Sequence, residues 1–396
     1  MRTLKSRFLA LASIVAGIWA VYLYQSVRMP PPITRFTQQR QHSGGSHNVS
    51  VVEPPRKQRN YNFTLGVCAI VADFEAYLIE WVDFHLIAMG IESIYLYDNS
   101  DSFDLEMWHN NTRSHPVYRR VEVTHWPRRN HLQHRNHGRL KSAFPQAAAY
   151  TDCVSRYGKS PDVKIPNVGK RRTLKITEGH DYLAFIDGDE FLVPRGQHDS
   201  VHSVIEEYLQ PYGGALSVNW MIYGTANKTV YSPVPVTKRF QYREDVDAHF
   251  MIKTIVKSSD YSSCISPHSM KLKLGARLRT TLYPGALKNK TRFSRNSTDH
   301  AKPSHPLLLH HYRYTSVKEY LYKRCVRGQI LTRNNRRACN RSTGQLKTAE
   351  ELAETKQPSH LAHSVGTVFD DSAWKILSLR VPKYEIYDNA EWADYN

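Results

Sequence analysis

The feature that most constrains this chain is an unbroken apolar run ending in carboxylates. Tyr182-Leu183-Ala184-Phe185-Ile186 passes directly into Asp187-Gly188-Asp189-Glu190 and on to Phe191-Leu192. Such a run predicts a strand buried on both faces, as in the central sheet of an α/β protein. Ligands of open α/β sheets bind beyond the carboxyl ends of the strands, so Asp187 and Asp189 are expected at the lip of a cleft. Gly188 lets the backbone turn between them and come close to a ligand. Two carboxylates one residue apart can share a hard divalent cation, Mn²⁺ or Mg²⁺, which usually also holds substrate phosphates. The same spacing occurs in solvated strand ends, so the pair needs context.

The upstream chain supplies some. Leu65 to Ala72 reads as a strand, Asp73 as the cap of a helix whose apolar face is Phe74, Tyr77, Leu78, Trp81, Val82 and His85, and Gly90 as its stop. Ile94 to Tyr97 is the next buried strand, ending in Asp98-Asn99-Ser100-Asp101. This is a strand, helix, strand unit of Rossmann type. Asp98 could hydrogen-bond a ribose or a uracil ring nitrogen, or close an Asx-turn. Between Arg113 and Lys141, six arginines, Arg139 among them, interleave with histidines. That segment suits a basic loop over a diphosphate or an acidic acceptor, and equally a solvated basic surface.

Downstream, Ser142 to Tyr157 and Val201 to Leu209 are predicted helices, and Ala215 to Trp220 a strand. Asn219, Trp220, Tyr223 and Gly224 at that strand's end place amides and aromatic faces where a sugar could stack, or form an ordinary core strand. Asp245 and Asp247 lie in a polar loop. Leu307 to Leu309 is a further apolar strand ending in His310-His311, and Ser316 with Glu319 forms a capping box that opens a helix reaching Lys323. His311 is a candidate metal ligand, with His268 the other histidine considered, while Arg313 and Lys323 are candidate phosphate ligands.

The N-terminus adds a location. Phe8 to Tyr24 is a charge-free, mostly apolar run preceded by Arg2, Lys5 and Arg7. It predicts a short type II membrane anchor with the remainder across the membrane, a cleaved signal peptide being the rival reading. Residues 25–64 read as a flexible Pro-, Gln- and Ser-rich stem, 65–345 as the folded domain and 346–396 as a peripheral tail. Seven N-glycosylation sequons, at Asn48, Asn62, Asn110, Asn227, Asn289, Asn296 and Asn340, agree with a lumenal domain. The net charge of +18 calls for an anionic partner without choosing it. Five scattered cysteines are too few for a disulfide scaffold, and no CxxC pair suggests zinc.

Taken in order, Ala69 to Trp81, Tyr95 to Ser100, Ala149 to Cys153, Phe185 to Phe191 and His311-Tyr312-Arg313 resemble glycosyltransferase family 92 and its family 2-like relatives, over roughly Leu65 to Gly328. The resemblance implies a GT-A fold: a Rossmann-like mixed α/β sheet flanked by helices. It further implies a nucleotide-sugar donor, UDP-galactose above all, a divalent metal, and inverting transfer to a glycan or glycoprotein acceptor in the Golgi. By it, Asp187 and Asp189 look like the metal-binding pair, Asp98 like the nucleoside contact, with Glu75 beside it where the first strand ends, and His311 like the C-terminal metal or diphosphate ligand. A carboxylate would deprotonate the acceptor hydroxyl, for which Asp245, Asp247 and Glu190 are the candidates. A non-catalytic membrane protein binding glycan or heparin through the basic loops is the alternative. A glycosidase would need two carboxylates flanking the sugar at ~5–9.5 Å, for which a pair one residue apart is poorly placed. The anchor and the lack of a recognisable module disfavour nucleic acid.

Overall fold

The computed structural model describes residues 60–100, 103–127, 145–159, 179–245, 251–280, 305–323 and 366–388. The first strand is Leu65–Val71 (β1), followed by helix Glu75–Asp83 (α1), which runs on as a π-helical turn, Phe84–Ala88. Gly90, at φ +69°, ends it in the left-handed conformation expected of a helix stop. Asp73 does not cap this helix. The cap position falls on Phe74 and has no side-chain hydrogen bond, while Asp73 itself takes a left-handed φ of +46°.

Strands Ser93–Asp98 (β2) and Val121–His125 (β3) flank helix Glu106–Thr112 (α2), and helix Pro145–Tyr157 (α3) precedes Tyr182–Phe185 (β4) and Glu190–Pro194 (β5). Helix Val201–Tyr208 (α4) is capped by Ser200, whose side chain accepts from Ser203 N–H. Ala215–Ile222 (β6), Val236–Arg239 (α5), Tyr242–Arg243 (β7) and Ile252–Lys257 (β8) follow. Then come the hairpin strands Tyr261–Ser266 (β9) and Ser269–Leu272 (β10), and Leu278–Thr280 (β11). Leu307–His311 (β12), Val317–Leu321 (α6), Val368–Phe369 (β13) and Ser372–Arg380 (α7) follow, and short 3-10 turns lie at Tyr118–Arg120, Ser258–Asp260 and Pro382–Tyr387.

The main sheet has the order β3-β2-β1-β4-β8-β6-β12-β5, with β11 paired to β6 beside β12. The pairs β3/β2, β2/β1, β1/β4 and β6/β12 are parallel, while β8 is antiparallel to both β4 and β6, and β5 is antiparallel to β12. Strands β1, β2, β3, β4, β6 and β12 therefore share one direction and bring their carboxyl ends to one edge. The amino ends of the two reversed strands, β5 and β8, arrive at that same edge. Residues 186–189 link β4 to β5. In a flat sheet these two would stand four strand spacings apart, ~19 Å, beyond the reach of five residue steps at ~3.5 Å each. The sheet must curl to bring β5 back beside the end of β4.

Both faces of the central strands are buried, as the apolar run predicts. Tyr182, Ala184 and Ile186 pack into the larger core with Leu65, Val67 and Trp81, while Leu183 and Phe185 enter a second core with Tyr150, Val154 and Tyr261. A disulfide, Cys68–Cys153, ties β1 to α3 inside that second core. The segment 366–388, expected to be peripheral, is integral. β13 pairs with β7, Trp374 and Leu377 are buried, and Arg380 donates to Ala88 O. Asp83, wholly buried in α1, accepts from Tyr118 and Tyr384 and pairs with Lys383. That buried anion required partners which local sequence could not supply. Among the described residues no helix is long and apolar enough to cross a membrane, and the run Phe8 to Tyr24 lies outside them.

Candidate active site

At the shared edge of the sheet, the link after β4 delivers Asp187 and Asp189, β5 begins with Glu190, β12 ends with His311, and β8 begins with Ile252-Lys253. Register enforces the meeting: His311 pairs with Glu190, and Tyr312 N–H donates to Asp189 O at 2.9 Å. His311 Nε2 lies 3.4 Å from Asp189 Oδ2. Lys323, just beyond α6, places its ammonium on the same oxygen. Burial would raise the Asp189 carboxyl, but Lys323 and His311 outweigh it and hold the group well below the ordinary carboxylate range. Burial draws the His311 imidazole below its usual value, opposed by Asp189.

Asp187 faces a different set. Its Oδ2 is 2.8 Å from Lys253 Nζ, and its Oδ1 accepts from Gln146 Nε2 at 2.7 Å and Tyr150 OH at 3.4 Å. Lys253 is only 1% exposed and also stands 3.7 Å from Glu190 Oε2. Glu190 is fully buried, and its Oε2 accepts from Asp187 N–H. It cannot reach an acceptor hydroxyl, which removes it from the candidate bases. Gly188 serves packing: a Cβ there would come within 2.6 Å of Phe74 Cε2.

The arm that carries Lys323 is braced from beneath. Ser316 and Glu319 form the expected capping box, and the Glu319 carboxylate also takes a two-pronged contact from Arg239, with both N–H···O distances at 2.9 Å. Tyr77 donates to Glu319 at 2.7 Å. Across the cleft, Tyr322 OH donates to Asp73 at 3.0 Å, so consecutive residues of this arm reach the ends of β1 and β4.

Several expected contacts fall elsewhere. Asp98 is buried and spends both oxygens on its own turn, accepting from Ser100 N–H, Ser100 Oγ and Leu105 N–H. It closes the loop, so the carboxylate is not turned out toward a nucleoside. Glu75 opens α1, where burial, joined by Asp104, Asp73 and Asp98, raises its carboxyl. Asn219, Tyr223 and Gly224 are buried: Tyr223 stacks on Tyr312 with centroids 4.7 Å apart and shares a hydrogen bond with His310. They offer no face to a sugar: Asn219 pairs with Ile252 of β8, β12 pairs alongside Trp220 to Ile222, and Tyr223 bridges to Arg243 of β7. Trp220 packs edge-on against His311 and His268, at 4.3 and 5.2 Å. His268 is bonded through Nδ1 to Ile252 O, and burial lowers it to about 4. Arg313 lies over the Tyr314 ring. Asp245 is exposed beyond β7, and no described hydrogen bond or ion pair joins it to the cluster. Asp247 and Arg139 lie outside the described residues.

Sequence reading passed over Lys253, Gln146 and Tyr150. The signal for Lys253 was present: a lysine inside the β-branched run Ile252-Lys253-Thr254-Ile255-Val256 implies a buried charge that needs an anion.

A Mn²⁺- or Mg²⁺-type ion asks for oxygen and imidazole donors and completes its shell with water and phosphate. Asp189 and His311 converge as such a pair. Among the described residues no group of three or more His, Cys, Asp or Glu side chains could hold a metal. Asp189 and His311 are thus the two side chains here that could share such an ion, on an oxygen now occupied by Lys323.

Residues 173–355 match the family model described as Glycosyltransferase family 92, which supports a glycosyltransferase. Among solved structures, the apo form of the bifunctional glycosyltransferase WbbM is similar over 41% of this chain, at 11% identity and a TM-score of 0.21. The likeness covers 24% of that protein, so this chain spans about a quarter of it. No curated protein matches the chain.

Proposed function

We propose that this chain, a glycosyltransferase by its family 92 segment, is a metal-dependent, inverting hexosyltransferase that moves galactose from UDP-galactose to a glycan acceptor. The observation that carries the reading is the meeting of Asp189 Oδ2 and His311 Nε2, 3.4 Å apart, at the carboxyl edge of the sheet. A bound Mn²⁺ or Mg²⁺ supplies Lewis-acid neutralisation of the departing nucleoside diphosphate. Asp189 and His311 would hold it. Lys323, released from Asp189, offers its ammonium to a phosphate oxygen as a point charge. The acceptor hydroxyl attacks the anomeric carbon in line and gives its proton to a carboxylate on the opposite side. With Glu190 buried, Asp245 and Asp247 are the carboxylates to test. A GT-A arrangement is supported by the mixed sheet with its functional residues gathered at one edge.

A lumenal Golgi location, with Phe8 to Tyr24 as a type II anchor, belongs to the same proposal. The Cys68–Cys153 disulfide supports it, because such bonds persist in oxidising compartments.

The test is nucleotide release from UDP- and GDP-sugars by the detergent-purified full chain, with and without Mn²⁺, beside Asp189→Asn. Release from UDP-galactose that requires both the ion and Asp189 is expected. Release from another donor would replace the sugar assignment. A folded protein that neither binds nor cleaves any donor would overturn the reading.

A further inference from the structure

The two carboxylates of Asp187-Gly188-Asp189 are not equivalent. Each carries a lysine, but the lysines differ in what they can do. Lys323 comes from the end of a surface arm and is 17% exposed, so its ammonium has solvent to move into. Lys253 is 1% exposed and is the second residue of β8, paired with Val218 of β6. Its ammonium has no water to retreat to, and moving it would strand a buried charge. Both oxygens of Asp187 already have donors: Lys253 on Oδ2, Gln146 and Tyr150 on Oδ1.

We propose that Lys253 is the positioning residue of the site: from its own buried position it keeps the partly exposed Asp187 as an already neutralised anchor and so leaves the divalent ion to Asp189 and His311. The inference rests on the metal-dependent reading above. Lys253 touches neither donor nor acceptor. It acts through Asp187, whose backbone N–H is in turn held by Glu190, and it thereby sets the direction in which the following two residues present Asp189. It also limits the negative charge that the ion meets, so the ion is held by one carboxylate rather than two.

The measurement is Mn²⁺ binding to the full chain, read as free Mn²⁺ by electron paramagnetic resonance, with no donor present. Asp189→Asn should weaken binding at least ~10-fold, since it removes a ligand, while Asp187→Asn should stay within ~3-fold of the parent. Lys253→Met should tighten binding severalfold and change the spectrum of the bound ion, because a bare Asp187 carboxylate then competes as an extra ligand. The double variant Lys253→Met/Asp187→Asn removes both charges and should return affinity and spectrum to those of the parent. If Lys253→Met does not fold, the double variant and Asp187→Asn still decide. Loss of Mn²⁺ in Asp187→Asn equal to that in Asp189→Asn would make Asp187 a ligand and overturn the proposal while leaving metal dependence intact. A folded Lys253→Met with parental affinity and spectrum would overturn it as well. A parent chain that binds no Mn²⁺ either alone or with UDP added would remove the metal reading and this proposal with it.

Discussion

His311 Nε2 stands 3.4 Å from Asp189 Oδ2, and the backbone repeats the tie one residue on, where Tyr312 N–H donates to Asp189 O at 2.9 Å. The imidazole is thus held to the carboxylate by sheet register as well as by its own side chain. Replacing either ligand should abolish ion-dependent donor cleavage without unfolding the protein. For His311→Ala and Asp189→Asn we expect kcat/KM to fall at least ~100-fold in steady-state assays. Residual activity within tenfold of the parent would move the metal elsewhere.

Lys323 occupies the Asp189 oxygen that a divalent ion would need. Lys323→Gln should therefore tighten Mn²⁺ binding in the absence of donor. It should also raise the KM for the nucleotide sugar, because a phosphate contact is lost. Titrating Mn²⁺ and donor separately resolves the two effects. Unchanged values for both would reduce Lys323 to a surface ion pair.

Two buried histidines make the fold sensitive to mild acid. His85 is bonded to Trp81 O and His310 to Tyr223 OH, and burial lowers each imidazole to about 3. The unfolded chain takes up these protons near pH 6.5, whereas the native state stays neutral until about pH 3. Their contribution is therefore whole above pH 6.5 and is lost as pH falls, at up to ~1.4 kcal/mol per pH unit for each histidine. Urea midpoints measured at pH 7.5 and pH 5 should fall accordingly, and His85→Gln should flatten the slope. An unchanged midpoint would show that other groups offset the two.

Gly188 is a packing requirement. A methyl group there would meet Phe74 Cε2 at 2.6 Å and Val71 Cγ1 at 3.0 Å. Gly188→Ala should cost ~1–3 kcal/mol by overpacking and lower the thermal midpoint. Shortening the ring in Gly188→Ala/Phe74→Leu should recover part of the loss. If the double variant is no more stable than the single, the strain lies in the turn itself.

The elements that were legible, among them β1, β2, β4, β6 and β12 with helices α1, α3 and α4, depend on local rules. The apolar run Tyr182 to Ile186, the glycine stop at Gly90 and the Ser316–Glu319 box each encode their element within a few residues. Asp187, Asp189 and His311 were legible as candidates for a related reason: polar residues that end apolar strands must emerge at one edge of a parallel sheet. Asp98 misled because an aspartate at a strand end satisfies the same pattern whether it faces a ligand or closes its own turn. Tyr223 and Asn219 misled because the strands that bury them, β7 and β12 at Tyr223 and β8 at Asn219, join β6 through pairing that local sequence does not show.

By itself the sequence determined the class of fold, the edge at which the candidate residues gather and the carboxylates that stand there, since periodicity and strand-end composition are short-range properties. Only the tertiary structure decided which partners each of those carboxylates meets. The curl that returns β5 beside β4 and the register that sets Lys253 against Asp187 depend on long-range pairing. So does the path of 366–388 back onto α1. A buried ion pair is defined by its partner's position, and that position is fixed by the sheet as a whole.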